Sequence, residues 1–158
     1  MSRKNDPFLI RELVIRIFAT NGVLVDTGNA LVRPIGLTTA WWQVLGALGY
    51  SPVPLPVAHI ARNMGLTRQS VQRVVELLLE RGFVRLDANP HHQRAKLVVL
   101  TEAGRAALAE AEHAVAAVDR VAIERIGAER VAAAIAVLDE LRDVLAEDAD
   151  PPSRKDPP

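Results

Sequence analysis

The chain has 158 residues, 49% of them hydrophobic, which is enough for one domain with a buried core. It has no cysteine, which fits a reducing compartment and excludes a thiol-based redox switch. An apolar run of about 18 residues and a signal peptide are both absent, so we expect a cytoplasmic protein with no membrane partner. The formal net charge is zero, but residues 56–105 contain eight Lys and Arg against four Asp and Glu, whereas residues 106–150 contain four against eleven. This polarity would orient the protein on a polyanion.

The N-terminal part of the chain predicts two helices. Hydrophobic residues recur at helical spacing from about residue 7 to residue 33, which predicts one long helix. The next helix begins at Thr38 or Thr39, since either hydroxyl can cap it, and it carries Trp41 and Trp42. Neighbouring residues point about 100° apart around a helix, so the two tryptophans cannot both face one core.

A predicted helix-turn-helix follows. The first of its two short helices has Pro56 at its first position and Gly65 as its stop. The second begins after Thr67, which can cap it, and ends near Gly82. One face of this second helix is an apolar stripe of Val71, Val74, Val75 and Leu78. Two short helices joined through a glycine turn are typical of DNA-binding proteins.

The opposite face of the second helix carries the candidate DNA-binding residues Arg68, Gln69, Ser70, Gln72 and Arg73. Gln and Arg present paired hydrogen-bonding groups that match base edges in the major groove. Arg68 lies in the first turn, where contacts to phosphate are common, and Ser70 is expected to reach the DNA backbone or to cap the helix. The alternative is a solvent-exposed face that binds nothing.

A β-hairpin is predicted next, with strands near residues 83–87 and 96–101. Its loop contributes His92 and Arg94 as candidate DNA contacts, and Lys96 follows directly. Cationic side chains on such a wing can bind phosphate or enter a minor groove. Alternatively, Lys96 only flanks the strand, and His92 with its neighbour His91 belongs to a polar loop without a ligand.

The C-terminal part predicts two alanine-rich helices over residues 102–146 and a disordered tail over residues 147–158, which contain four prolines. These two helices have more apolar surface than a small winged domain can cover, and so does the first helix, residues 7–33. We therefore expect a homodimer, in which this surface is buried against a second copy. The alternative is a monomer in which these helices fold back on the winged core.

Taken together, four segments resemble the MarR family of bacterial winged helix-turn-helix regulators, in the same order and at the same spacing: residues 36–45, 60–71, 77–84 and 94–105. The resemblance implies a mainly α fold with a small β-wing, in a single domain of residues 1–146. Within it, residues 36–101 would form the DNA-binding lobe, and residues 7–33 and 102–146 would form the dimerisation helices.

The resemblance also bears on individual residues. It implies that Trp42 packs in the core, which leaves Trp41 as the candidate residue of an effector pocket between the dimerisation helices and the winged lobe. One position departs from the family pattern, because an acidic residue usually lies two before the wing arginine, where this chain has His92.

These observations predict a sequence-specific transcriptional regulator, a homodimeric repressor that binds a pseudo-palindromic operator and is released by a small apolar or aromatic effector. The sequence has no glycine-rich phosphate loop, no nucleophile–base motif and no His-Glu-x-x-His motif. Glu110 and His113 have a spacing that can share a metal, but their helix has no cysteine and no second histidine. We therefore expect no enzymatic activity, cofactor or metal site. The alternative from another class is a winged-helix protein-interaction module that does not bind DNA.

Overall fold

The computed structural model describes residues 6–92 and 94–149, and within them the fold is mainly helical with one small sheet. The elements are α1 (Phe8–Val32), α2 (Thr39–Gly49), β1 (Leu55–Pro56), α3 (Val57–Met64), α4 (Arg68–Glu80), β2 (Val84–Asp87), β3 (Leu97–Leu100), α5 (Glu102–Ile126) and α6 (Ala128–Ala149). A turn of 3₁₀ helix over Arg33–Ile35 joins α1 to α2. This order confirms the predicted helical fold with a helix-turn-helix and a wing.

The chain divides into two compact units within α5, the first ending at Val115 and the second beginning at Ala116. The whole winged lobe and α1 belong to the first unit. The predicted extent of the domain, residues 1–146, stays a prediction.

The core of the first unit is built by one face of each surrounding element. Its fully buried side chains include Val32, Val44, Leu45, Ile60, Val71, Val75, Leu78 and Val98. The stripe predicted on α4 is therefore the buried one, and it holds that helix against α2, α3 and the sheet. Because these side chains interlock, the opposite face of α4 is held in a fixed orientation toward solvent.

The predicted helix caps and stops are confirmed. The Thr38 hydroxyl accepts a hydrogen bond from the backbone N–H of Trp41 at 3.2 Å, and the Thr67 hydroxyl accepts one from Ser70 at 3.1 Å. Gly65 and Gly82 have positive φ angles of 62° and 69°, a conformation in which glycine meets no Cβ penalty.

The sheet corrects one prediction. Its strand order is β1-β3-β2, with all pairs antiparallel, and Leu55 and Pro56 pair with Val98 and Leu97. Pro56 was predicted at the first helical position, but it is extended at φ −75° and ψ 155° and immediately precedes α3. A residue before proline favours extended backbone, and the buried Leu55 side chain anchors this short strand to the core.

The start of α5 is tied to the turn that follows α4. The Thr101 hydroxyl donates to the carbonyl of Gly82 at 2.7 Å and accepts from the N–H of Gly104 at 3.1 Å. At Gly104 the two segments approach so closely that a Cβ would lie 1.9 Å from the Phe83 carbonyl oxygen. Only glycine allows this approach.

The second unit consists of the C-terminal part of α5 and of α6, separated by Gly127 at φ +91°. Its hydrophobic side chains are largely exposed, among them Val118, Val121, Ile126, Ile135, Leu138, Val144 and Leu145. No helix in the described part of the chain is long and apolar enough to cross a membrane.

Helix α6 continues through Ala149 and so includes the first three residues of the predicted disordered tail. Glutamate and alanine favour helix, and the chain has no helix-breaking residue until the Asp150–Pro151 pair. The rest of the predicted tail, residues 150–158, lies outside the described residues.

Candidate nucleic-acid interface

A groove of about 800 Å³ runs between the helix-turn-helix and the wing. It is lined by Pro56, Val57, Ala58, His59, Arg62, Arg68, Gln72, Val75, Leu86, Asn89, His91, His92, Arg94, Ala95 and Lys96. Four of the predicted DNA contacts therefore face one another across it, Arg68 and Gln72 from α4 and Arg94 and Lys96 from the wing. His92, the fifth, lies in the same groove.

The groove carries positive charge that no neighbouring side chain neutralises. Arg62, Arg68, Arg94 and Lys96 line it, and in the described part of the chain none of them forms an ion pair. No described lining residue is acidic. Such a surface attracts a polyanion, and it could bind phosphate without first breaking an internal salt bridge.

The outward face of α4 lies beside the groove. Gln69 and Arg73 are exposed on it, opposite the buried stripe, and do not line the groove itself. Gln72 lies at the groove edge, where its side-chain amide donates to a carboxylate oxygen of Glu76 at 3.0 Å. Gln72 must exchange this bond to contact a base, whereas no hydrogen bond or ion pair holds the Arg73 side chain among the described residues.

Ser70 is exposed, and its backbone N–H is the group that Thr67 caps. Ser70 lies in the first turn of α4, which begins at Arg68. A hydroxyl in this position is suited to a phosphate oxygen, as the sequence predicted, rather than to the capping role that Thr67 already fills.

The wing loop is ordered by Asn89. Its side chain accepts from the backbone N–H of His91 at 3.0 Å, and its carbonyl accepts from that of His92 at 3.2 Å. A further backbone hydrogen bond, from the N–H of Ala95 to the carbonyl of His92 at 3.1 Å, closes a second turn that contains Arg94. Local side-chain bonding of this kind is the usual reason for asparagine in a turn.

The position occupied by an acid in the family pattern supplies no carboxylate here. The nearby acid on the wing, Asp87, forms a bidentate pair with Arg85, with both N–O distances 3.0 Å. Arg94 therefore faces the groove beside imidazoles instead of a carboxylate.

Two groove residues, His59 and Arg62, were not among the predicted contacts. They lie three residues apart on the exposed side of α3, opposite the buried Ile60 and Ala61. That spacing placed them on one face of the helix. The sequence did not indicate that this face of α3 lines the groove, because that depends on where the wing lies relative to α3.

A second pocket, of about 460 Å³, lies between α1 and α2. It is lined by Asn21, Leu24, Val25, Thr39, Trp42, Gln43, Gly46, Ala47, Tyr50 and Met64. Its walls are fixed at the helix joint, where the N–H of Thr39 donates to the Asn29 side chain at 2.8 Å and its hydroxyl donates to the Val25 carbonyl at 3.1 Å. Met64, the last residue of α3, brings the pocket into direct contact with the helix-turn-helix.

Both tryptophans pack against the core, as predicted for Trp42, but Trp42 also lines this pocket and Trp41 does not. Trp41 lies beneath the Arg81 guanidinium, which is 5.3 Å from its ring centroid. The face of α2 that carries Thr39, Trp42, Gly46 and Tyr50 at helical spacing turns toward α1, and Trp41 is about 100° away from it. Trp41, the candidate effector residue of the sequence analysis, therefore does not line this pocket.

The comparisons with known sequences point to one family. A profile described as the MarR family matches residues 35–95. The chain is 31% identical over 112 residues to the HTH-type transcriptional repressor Rv2887 of Mycobacterium tuberculosis. The aligned region covers 71% of this chain and 80% of that protein. It is 39% identical over 114 residues to the uncharacterized protein Rv2011c of the same organism, covering 72% and 78%.

Solved structures agree. The M. tuberculosis transcriptional regulator MOSR in complex with DNA is 26% identical with a TM-score of 0.68, covering 84% of this chain and 96% of that one. CouR from Rhodococcus jostii RHA1, bound to p-coumaroyl-CoA, is 25% identical with a TM-score of 0.66, covering 92% and 97%. The chain therefore belongs to the MarR family of DNA-binding transcription regulators.

Proposed function

We propose that this protein is a homodimeric repressor that binds a pseudo-palindromic operator and leaves it when a small molecule occupies the α1–α2 pocket. The observation that carries the proposal is the groove between α4 and the wing, with four unpaired cations and no acid among its described lining residues. The exposed Gln69 and Arg73 beside it would read bases, while Arg68, Arg94 and Lys96 would hold the backbone. The repressor role is supported by the name of Rv2887, whose alignment covers 80% of that protein.

Dimerisation is supported by apolar surface that no described residue covers. On α1, the side chains of Phe8, Ile15, Phe18 and Leu24 are each more than 60% exposed. The second unit exposes a further series of aliphatic residues along α5 and α6. Exposure of this many apolar side chains to water is unfavourable. A second copy of the chain would bury them in a two-fold interface.

A two-fold dimer makes a geometric prediction about the operator. The two α4 helices should enter successive major grooves about 10 base pairs apart, so we expect one dimer to protect a pseudo-palindrome of roughly 16–20 base pairs. The test is to select genomic fragments with the purified full-length protein, to footprint the best of them, and to measure the mass of the complex.

A dimer on a repeated half-site would support the proposal. A single unrepeated half-site bound by a monomer would contradict the dimer, and the absence of any salt-sensitive DNA binding would favour a protein-interaction module instead.

The imidazoles in the groove should contribute to operator binding. His59, His91 and His92 line the groove beside Arg94, where a ring N–H can donate to a phosphate oxygen. Replacing His91 and His92 should therefore weaken binding. The measurement is fluorescence anisotropy of labelled operator at fixed pH and ionic strength.

The variant for this prediction is His91→Ala, His92→Ala, which removes both rings and their N–H donors. Operator affinity equal to that of the wild type would show that the wing histidines do not contact the operator.

Release by an effector is supported by the position of the second pocket. It lies between α1 and α2 and includes Met64 at the end of α3, one residue before the turn that leads to α4. A molecule bound there would lower operator affinity only if it binds more tightly to the arrangement of helices that does not fit DNA. The related CouR has been crystallised with p-coumaroyl-CoA, which supports a small-molecule ligand as a class.

A further inference from the structure

The α1–α2 pocket contains no charged side chain. Its described lining has no Lys, Arg, His, Asp or Glu. The apolar walls include Leu24, Val25, Ala47 and Met64, and Trp42 and Tyr50 contribute aromatic rings. The polar groups are two amides, Asn21 on α1 and Gln43 on α2, together with the hydroxyls of Thr39 and Tyr50. This composition differs sharply from that of the DNA-facing groove, where seven described residues are basic.

A carboxylate is hydrogen-bonded to one of the residues that line the pocket. The Tyr50 phenol donates a hydrogen bond to the carboxylate of Glu112 on α5. An anion is therefore in direct contact with a lining residue of the pocket. A ligand carboxylate placed near Tyr50 would find no cation to pair with and would be repelled by Glu112. Both effects oppose the binding of an anion.

The cost of placing an anion here follows from solvation. Moving a carboxylate out of water without a pairing cation is strongly unfavourable, whereas a neutral amide or phenol loses far less and can recover hydrogen bonds from Asn21 and Gln43. Both of these side chains are exposed, so an anion would keep part of its hydration and the discrimination should be moderate. A planar aromatic group would stack favourably against Trp42.

We propose that this pocket selects uncharged planar aromatic molecules that carry an amide or a hydroxyl, and discriminates against aromatic carboxylates. The inference rests on the proposed role of the pocket as the effector site, and it names the chemical class of ligand that the site accepts. Gln43 is the position at which an added charge would test this preference, because its side chain lines the pocket and is accessible to a ligand.

The test uses two probes of equal size and shape, cinnamamide and cinnamate, titrated calorimetrically into the purified full-length protein without DNA. At about pH 7.5 cinnamate is ionised, since carboxylic acids have pKa values near 4, and cinnamamide is neutral. We expect cinnamamide to bind at least about tenfold more tightly. Equal affinity, tighter binding of cinnamate, or no detectable cinnamamide binding at millimolar concentration would overturn the proposal.

The variant Gln43→Arg tests the same charge preference by changing the protein instead of the probe. It places a guanidinium in the pocket, so it should strengthen cinnamate binding by about tenfold and remove the preference for cinnamamide. The control is Ala106→Arg, which adds the same charge at an exposed position of α5 that lines none of the pockets described above and should leave both affinities unchanged. A cinnamate gain of the same size in both variants would also overturn the proposal, because net charge alone would then explain the binding.

The titrations separate this inference from the proposed function. A protein that binds its operator but does not prefer cinnamamide would refute the ligand class and leave the regulator intact. A protein that prefers cinnamamide but binds no DNA would refute the regulator and leave the pocket assignment intact.

Discussion

Gly104→Ala is expected to destabilise the protein by about 3 kcal/mol, which is a large part of the stability of a small domain. The added Cβ would lie 1.9 Å from the carbonyl oxygen of Phe83 and 2.9 Å from its carbonyl carbon. Both atoms are backbone, so no side-chain rotation can relieve the overlap. The start of α5 would have to move away from the turn after α4, which would strain the hydrogen bonds made by the Thr101 hydroxyl.

Gly46→Ala is the matched control, since it is the same substitution in another helix of the same unit. Here the Cβ would lie 3.4 Å from the nearest atom, on the Tyr50 ring, which is an ordinary contact. Alanine is favoured over glycine inside a helix by about 1 kcal/mol, so this variant should be more stable than the wild type.

Urea unfolding followed by far-ultraviolet circular dichroism would measure both variants. Protein concentration must be equal throughout, because dimerisation contributes to the measured stability. The close approach at Gly104 would be disproved if the two variants had unfolding midpoints shifted in the same direction.

The sequence predicted well those parts of the fold that depend only on interactions between residues a few positions apart. Thr38 and Thr67 cap their helices through hydroxyls that reach only three residues ahead, and Gly65 supplies a positive φ angle where α3 ends. By contrast, β1 exists because Leu55 pairs with Val98, more than forty positions away in the sequence. No local pattern contains such a partner.

The candidate site shows the same division. The composition of α4 was enough to predict which of its residues face outward, because its buried stripe defines the opposite face. The two tryptophans were correctly predicted to diverge, but the sequence could not decide which one faces α1. The orientation of α2 is set where it packs against α1, at Gly28 and Thr39. The two helices approach so closely there that a Cβ added to Gly28 would lie 2.7 Å from the threonine hydroxyl oxygen. Likewise, His59 and Arg62 became groove residues only through the fold of the wing.

The second large effect concerns how the protein divides base reading from backbone binding. Arg73→Ala is expected to weaken binding to the preferred operator by about 1–3 kcal/mol and to reduce the difference between operator and unrelated DNA. Arg73 is a cleaner test than Gln72, because Gln72 already donates to Glu76 and its removal would also break that bond. Competition binding against fragments with each base pair of one half-site changed would show where preference is lost.

Arg94→Ala should behave differently, because Arg94 lies in the groove among other cations rather than on the outward face of α4. Loss of a phosphate contact weakens binding to all sequences nearly equally and flattens the plot of log affinity against log salt concentration by about 0.9 per contact in each half-site. Arg33→Ala is the charge-matched control, as this exposed arginine follows α1 and lines neither the groove nor the α1–α2 pocket. If Arg94→Ala left the salt slope at the value of Arg33→Ala, the wing would not contact the DNA backbone. If it instead relaxed preference at particular base pairs, the wing would read sequence from the minor groove, and the division of roles between α4 and the wing would have to be reversed.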